Sequence, residues 1–500
     1  MSSPPAAASG APSPLPKLSD RRQQVSSYSA RTPSFDVLAM QNLLLEEELV
    51  KEAANETHEQ TLKRLLSTKS AISTTSSFAE RQQASAGQQA VFREIGTGSI
   101  GTVLEHPGTI HVYKFSLLDQ NNKIWNNYLM GLRIQKSFSR NSSIAGDIEI
   151  PQCMWFATAH SQFWTSYKQQ IPASRNPGDV LCMERIFPLP KIIRNKIVDV
   201  FCQLDPPDRE QAKNIASNKD CLVRPYLGRS RVAGSHSRLK AFSLQNYKLH
   251  LDQIQYLRLD AEEFATSMAK AMAIMHWDIR IDAADIEFVL GSSPTVEGTI
   301  PVPPEDPESL QMAVTKIDTF REITISNPNF KQRLVNLWLL DFDACRDISM
   351  DPSGVQQAVR AFLENEPYCP RPNGGTAYSD HLWRAFGAQY LATSASILAT
   401  AKPDVAALPN SFLIEVAKAL AEPRSQPSSS GQGRGRGHLS GEAVLPNWGE
   451  DMGEEDSVAE EDTSVKELSM GAGNFSHSHT LARLLVEGAA GGVEKCNWCN

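Results

Sequence analysis

Apolar positions in residues 36–66 recur at helical spacing. Leu38, Met40, Leu43, Leu44, Leu45, Leu49 and Val50 form one stripe, continued by Leu62, Leu65 and Leu66, with charged residues between them. The pattern predicts one amphipathic helix or two. It fits a helix docked on its own domain or fraying alone, and also a coiled-coil partner helix, although the heptad is not sustained. From Val91 to about Leu420 the pattern is that of a folded unit. Phe92 and Ile95, then Val103 and Leu104, mark strands on both sides of a glycine turn. The segment 109–115 (TIHVYKF) reads as the next strand and residues 119–138 as a helix. Phe264, Met268, Met272 and Met275 share one face of a helix that Asp260 and Glu263 open in capping-box fashion. Ile286, Phe288 and Leu290 alternate with Glu287 and Val289 in a strand, and residues 337–345 (LWLLDFDAC) read as another.

These elements predict an α+β fold of two lobes, a small mainly-β lobe over 90–185 and a mainly-α lobe over 186–422. An insert is expected at about 291–333, where the Pro-rich run SSPTVEGTIPVPPEDPE lies. Residues 1–89 and 423–500 are rich in Ser, Pro, Gly and charge, and read as a disordered N-terminal region carrying the helix and a disordered tail.

Composition narrows the function classes. The 500 residues are 41% hydrophobic, enough for a sizeable core, and the net charge of −8 gives no basic field for nucleic acid. The GRGRG run at 433–437 offers only a weak RNA element beside an acidic block. Eight irregularly spaced cysteines fit a reducing, intracellular compartment, cytoplasmic or nuclear. The chain opens without a basic-then-apolar secretory pattern and has no apolar run long enough to span a membrane.

The chemistry-bearing residues come in order. Gly96, Gly98 and Gly101 have G-x-G-x-x-G spacing, followed by Val103. Strands on both sides, rather than a following helix, make this the hairpin that covers ATP phosphates in kinases and not a dinucleotide fingerprint. A glycine lets the backbone approach phosphate oxygens closely. Lys114, in Val112-Tyr113-Lys114, is placed to pair with phosphates, unless it is simply a surface lysine of a hairpin. His276-Trp277-Asp278-Ile279-Arg280 matches His-x-Asp-apolar-basic, so Asp278 would position an acceptor hydroxyl and Arg280 would neutralise transferring phosphate. If the strands at 285–291 and 337–345 pair antiparallel, Asp285 meets Asp341 at a mouth, where two carboxylates suit Mg²⁺. Glu184, Arg185 and Ile186 would border the adenine.

Several positions depart from the kinase pattern. The helix at 119–138 contains no Glu to pair with Lys114, and Asn127 is the best occupant of that face. The ordered motifs resemble those of a protein kinase and imply its two-lobed, kinase-like fold, but the loop from Asp278 to Asp285 is two residues longer than in protein kinases, making Asp282 a rival base. Asp343 stands where D-F-G has Gly, Trp277 replaces the arginine that reads an activation-loop phosphate, and no A-P-E follows. Two functions fit: an ATP- and Mg²⁺-dependent phosphotransferase acting on a small molecule, of the aminoglycoside or choline kinase kind, and an inactive pseudokinase or scaffold that binds partners through the 36–66 helix. The runs LCMERI, RPYLGRSR, MAIMHWDIRIDAADIEFVLG and LWLLDFDAC also resemble an uncharacterised fungal domain family of unknown function, some of whose members are labelled zinc finger proteins. The resemblance spans roughly 90–400 and implies no mechanism. The zinc label can be set against Cys496-x-x-Cys499 with His477 and His479, whose order and spacing are unlike a zinc finger, so zinc is not expected.

Overall fold

The computed structural model describes residues 50–51, 53–67, 71–72, 91–106, 109–117, 121–146, 148–231, 242–296, 305–313, 315–322 and 328–421. The Leu38–Leu49 part of the expected helix, the GRGRG run and the C-terminal Cys and His pairs lie outside them. The fold is mixed α+β with two sheets.

The smaller sheet is wholly antiparallel. Its strands are β2 (Arg93–Thr97), β3 (Gly101–Glu105), β4 (His111–Ser116), β6 (Cys153–Ala157) and β7 (Val180–Glu184), in the order β2-β3-β4-β7-β6. Side chains alternate between its faces. Tyr113 and Phe115 join Phe92, Trp155 and Phe163 in an aromatic cluster on one side. On the other side Phe156 and Leu181 pack on Ile124, Tyr128 and Leu132 of the helix α2 (Asn121–Arg140).

The larger sheet runs β1 (Ala71–Ile72), β11 (Pro328–Leu340), β10 (Glu287–Val296), β8 (Val223–Tyr226), β9 (Tyr247–His250), with β5 (Ile148–Glu149) also on β11. The β8–β9 and β5–β11 pairs are parallel and the rest antiparallel. Around it lie α3 (Lys191–Phe201), α4 (Ala261–Ala273), α5 (Pro352–Glu364), α6 (Ala377–Ile397) and α7 (Leu408–Ala421). The α4 helix starts where Asp260 accepts a hydrogen bond from the Glu263 amide, and it buries Phe264, Met268 and Met272.

Two segments depart from the expected boundaries. The N-terminal helix is α1 (His58–Leu66), opened by a capping box between Thr57 and Gln60. Its Leu62, Leu65 and Leu66 are fully buried in the large core, and α1 packs on α3. That buried stripe and the pairing of β1 with β11 extend the folded unit upstream of residue 90. The insert is also shorter than 291–333. The ladder of β10 and β11 runs from Glu287↔Leu340 through a bulge to Val296↔Pro328.

Residues 305–322 do not cover the mouth of this hairpin. They run along α2 and the edge strand β6. Lys136 pairs with Asp306 at 2.8 Å and Glu308 at 2.6 Å, and the Thr319 amide donates to the Phe156 carbonyl at 2.8 Å. The free edge of the small sheet is thereby occupied.

Candidate functional site

The glycine loop is the turn between β2 and β3. Gly101 is required by packing, since a Cβ there would lie 2.7 Å from the Phe115 carbonyl oxygen. Gly96 and Gly98 differ: among the described residues, a Cβ on Gly96 would meet nothing within 4 Å, and one on Gly98 only the Gly101 carbonyl oxygen, at 3.9 Å. The space over this turn is open.

Lys114 lies on β4 with its side chain on the α2 side of the sheet, 8% exposed. Its Nζ donates to Asn127 Oδ1 at 3.0 Å and to Asp341 Oδ1 at 2.7 Å. The residue expected on that helix face is thus the one that meets the lysine. An amide accepts the hydrogen bond without adding charge, so Asp341 is the anion of the pair.

The register of β10 with β11 places Asp285, two residues before β10, beside Asp341, immediately after β11. Both have left-handed backbones, with φ of 57° and 64°. Non-glycine residues in that region mark strain that the surroundings must hold in place. Asn365 holds the first, accepting from the Asp285 amide at 2.6 Å. The α2 helix holds the second: Asn126 Nδ2 donates to the Asp343 carbonyl at 2.8 Å and the Cys345 carbonyl at 3.0 Å.

Charge at this mouth is not balanced. Burial, then the neighbouring Asp341, raises the Asp285 carboxyl above its usual range. Burial and Asp341 also push Asp343 up to about 6, and it shares a side-chain hydrogen bond with Asp341. Glu287 is lifted to about 7 by burial, against the pull of Arg224, which grips both its oxygens at 2.6 and 2.7 Å. Arg224 also reaches Glu366 at 3.4 Å. Carboxyl groups crowded enough to hold protons near neutrality are the environment a cation would relieve. Glu287, Arg224 and Asp343 were not among the expected site residues. The available signals were a glutamate inside an apolar strand and an aspartate where D-F-G has glycine.

Other expected residues lie elsewhere. Asp278 sits in a π-helical turn, Ile274–Ile279, and its Oδ2 accepts from Ser137, from Asn141 at 2.9 Å and from Arg140 at 3.1 Å. Ser137 is ten residues along α2 from Asn127, about 15 Å at 1.5 Å per residue. Asp278 is therefore not at the mouth with Lys114. Arg280 caps that turn with φ 63°, and its side chain is exposed. His276 is buried, hydrogen-bonded through Nδ1 to Tyr390 at 2.8 Å, and burial drives its pKa down to about 3. Asp282 is a brace, accepting from the Arg346 amide at 2.9 Å and from Gln357 at 2.8 Å.

The adenine side is filled by internal bonds. The Glu184 carboxylate accepts from the Gln152 amide at 3.2 Å. The Arg185 amide donates to the Ile110 carbonyl at 2.8 Å, and the Phe187 amide and carbonyl both bond to Ser292. The Arg185 side chain is buried against Glu105 and lies 4.7 Å over the Phe187 ring.

Residues 337–402 match a family model for a domain of unknown function described as "Zinc finger protein". No curated protein matches the chain. The matched segment holds Asp341 and Asp343, and its thiols, Cys345 and Cys369, are buried. Among the described residues no group of three or more His, Cys, Asp or Glu side chains is placed to hold a metal, and no helix is long and apolar enough to cross a membrane.

Proposed function

We propose that the chain is a two-lobed, kinase-like module that binds ATP with Mg²⁺ through its phosphates and transfers phosphate to a small molecule. The observation that carries this is the meeting of Lys114, Asn127 and Asp341. A lysine on the third strand of a five-stranded antiparallel sheet, held by the helix that follows and by the aspartate after a later strand, resembles the kinase phosphate-binding arrangement with an amide in place of its glutamate. Open space at Gly96 and Gly98 fits a polyphosphate under the β2–β3 turn. Asp285 and Asp341 suit Mg²⁺, which takes one or two carboxylates and completes its shell with phosphate and water. When bound there, Mg²⁺ would neutralise charge on the phosphates. Lys114 would then share its three donors between Asn127, Asp341 and a phosphate oxygen. The hydrogen-bonded adenine side supports recognition of the phosphates more than of the base.

A second reading, binding without transfer in a pseudokinase or scaffold, is favoured by one observation. Asp278, the expected acceptor-positioning group, is tied to the far end of α2. A partner role for the N-terminal helix would fall to residues 36–49, because α1 buries its leucines in its own core. A zinc role would fall to Cys496, Cys499, His477 and His479.

The full chain should melt a few degrees higher with ATP and Mg²⁺ together, and much less with either alone, because a ligand bound only to the folded state stabilises it. Asp341→Asn should remove this response. Asparagine tolerates the left-handed backbone and keeps a hydrogen-bond acceptor for Lys114, and the response is read against the variant's own ligand-free melting temperature, which separates lost binding from lost stability. No rise at millimolar Mg-ATP would sink the proposal. A rise with no Mg²⁺-dependent ADP formation across small hydroxylated acceptors would select the second reading.

A further inference from the structure

Away from this mouth, a cleft of about 450 Å³ opens between α2 and the segment that follows β11. That is within the size range of small-molecule pockets. Leu129 and Met130 on α2 supply an apolar floor, and Asn126, Arg133, Gln311, Cys345, Arg346 and Asp347 line the rest. The two guanidinium groups are not equivalent. Arg133 is committed, with Nη2 donating to Asp347 at 2.6 Å and to the Ile279 carbonyl at 3.1 Å. Arg346 is exposed and makes no ion pair among the described residues. Its backbone is fixed on both sides: the amide donates to Asp282 Oδ1 at 2.9 Å and the carbonyl accepts from the Asp282 amide at 2.9 Å. A rigid backbone thus presents an uncommitted guanidinium at the edge of an apolar floor.

We propose that this cleft binds a small amphipathic carboxylate, with its aliphatic chain over Leu129 and Met130 and its carboxylate on Arg346. One uncommitted positive charge matches one negative charge. The Asp347 carboxylate nearby disfavours a dianion such as a phosphate monoester. Arginine suits the task because its planar fork receives both oxygens of a carboxylate. Occupancy would bear on the helix whose Asn127 meets Lys114 and whose Asn126 holds the Asp343 and Cys345 carbonyls, so the ligand would steady that helix. The inference does not depend on phosphoryl transfer.

The test is a ligand-observed NMR titration of the full chain with octanoate, octanol, octylamine and octyl phosphate. Octanoate should bind at least about tenfold more tightly than the other three, the scale of one charge-assisted contact. Arg346→Glu, a change at an exposed side chain, should lose octanoate and favour octylamine. Arg346→Gln should weaken octanoate without that reversal, and it serves if the charge reversal fails to fold. No octanoate binding at millimolar concentration, equal binding of octanol, preference for octyl phosphate, or octanoate binding unchanged in the folded Arg346 variants would each overturn the assignment.

Discussion

Glu105→Gln should destabilise the protein by about 3–5 kcal/mol, the usual effect of removing one partner from a buried ion pair. Glu105 ends β3 and is 1% exposed, and so is the Arg185 side chain it faces. It also pairs with Arg93 of β2, whose Nη1 and Nη2 grip Asp220 at 2.8 Å each. Asp220 ends the 3₁₀ turn Ala216–Asp220, which lies against the larger part of the molecule. The four side chains therefore clasp the small sheet to the rest of the fold beside residues 184–187. Glutamine keeps the shape and removes the charge of the nearer carboxylate, Asp220 lying 4.0 Å from Arg185. Urea unfolding of wild type and variant measures the loss. Adding Arg185→Met to Glu105→Gln should restore part of it, since a buried pair replaced by apolar packing is often neutral. A loss below about 1 kcal/mol, or no recovery in the double variant, would show that the cluster is solvated rather than buried.

Much of the mouth was legible because it rests on period-2 alternation and antiparallel pairing. Those rules brought Asp285 beside Asp341 across any insert, while Asn127 was reached through the kinase pattern, as the occupant of the helix face that should meet Lys114. Asp278 escaped for a geometric reason. The His-x-Asp spacing implies a loop leaving an α-helix, whereas residues 274–279 continue α4 as a π turn. The wider turn rotates Asp278 toward α2, where Ser137, Arg140 and Asn141 supply its donors. An apolar strand end does not reveal which backbone amides its neighbour leaves open, so the bond from the Gln152 amide to the Glu184 carboxylate was not legible. The docking of α1 was one of two readings of its leucine stripe. The complementary face of α3, with Ile193 and Ile197 buried, carries the docking reading for residues 58–66.

Lys114→Met should cost a similar amount, but with a pH dependence that Glu105→Gln lacks. In the wild type, Asp343 titrates at about 6, above the usual 3.8, and Asp285 is raised as well. A carboxyl whose folded pKa is raised contributes stability that is fully present below its unfolded pKa. That contribution is lost as pH rises through the folded pKa, here between about 4 and 6 for Asp343. Lys114 opposes this loss, since its charge favours the ionised form of each group. Methionine matches the length of the stem and removes the cation bonded to Asp341, leaving Asp285 the pull of Lys123 and Arg224. The deficit relative to wild type should therefore approach about 3–5 kcal/mol at pH 8, where the carboxylates are ionised, and shrink toward pH 4, where they are protonated. Denaturation midpoints at pH 4.5, 6 and 8 in the absence of Mg²⁺ measure it. Adding Mg²⁺ at pH 8 should recover part of the deficit, because a cation at Asp285 and Asp341 supplies the missing charge. A deficit independent of pH would mean that Lys114 is held by packing and Asn127 alone. The acidic mouth would then be a structural feature of the hairpin and not a place built for a cation.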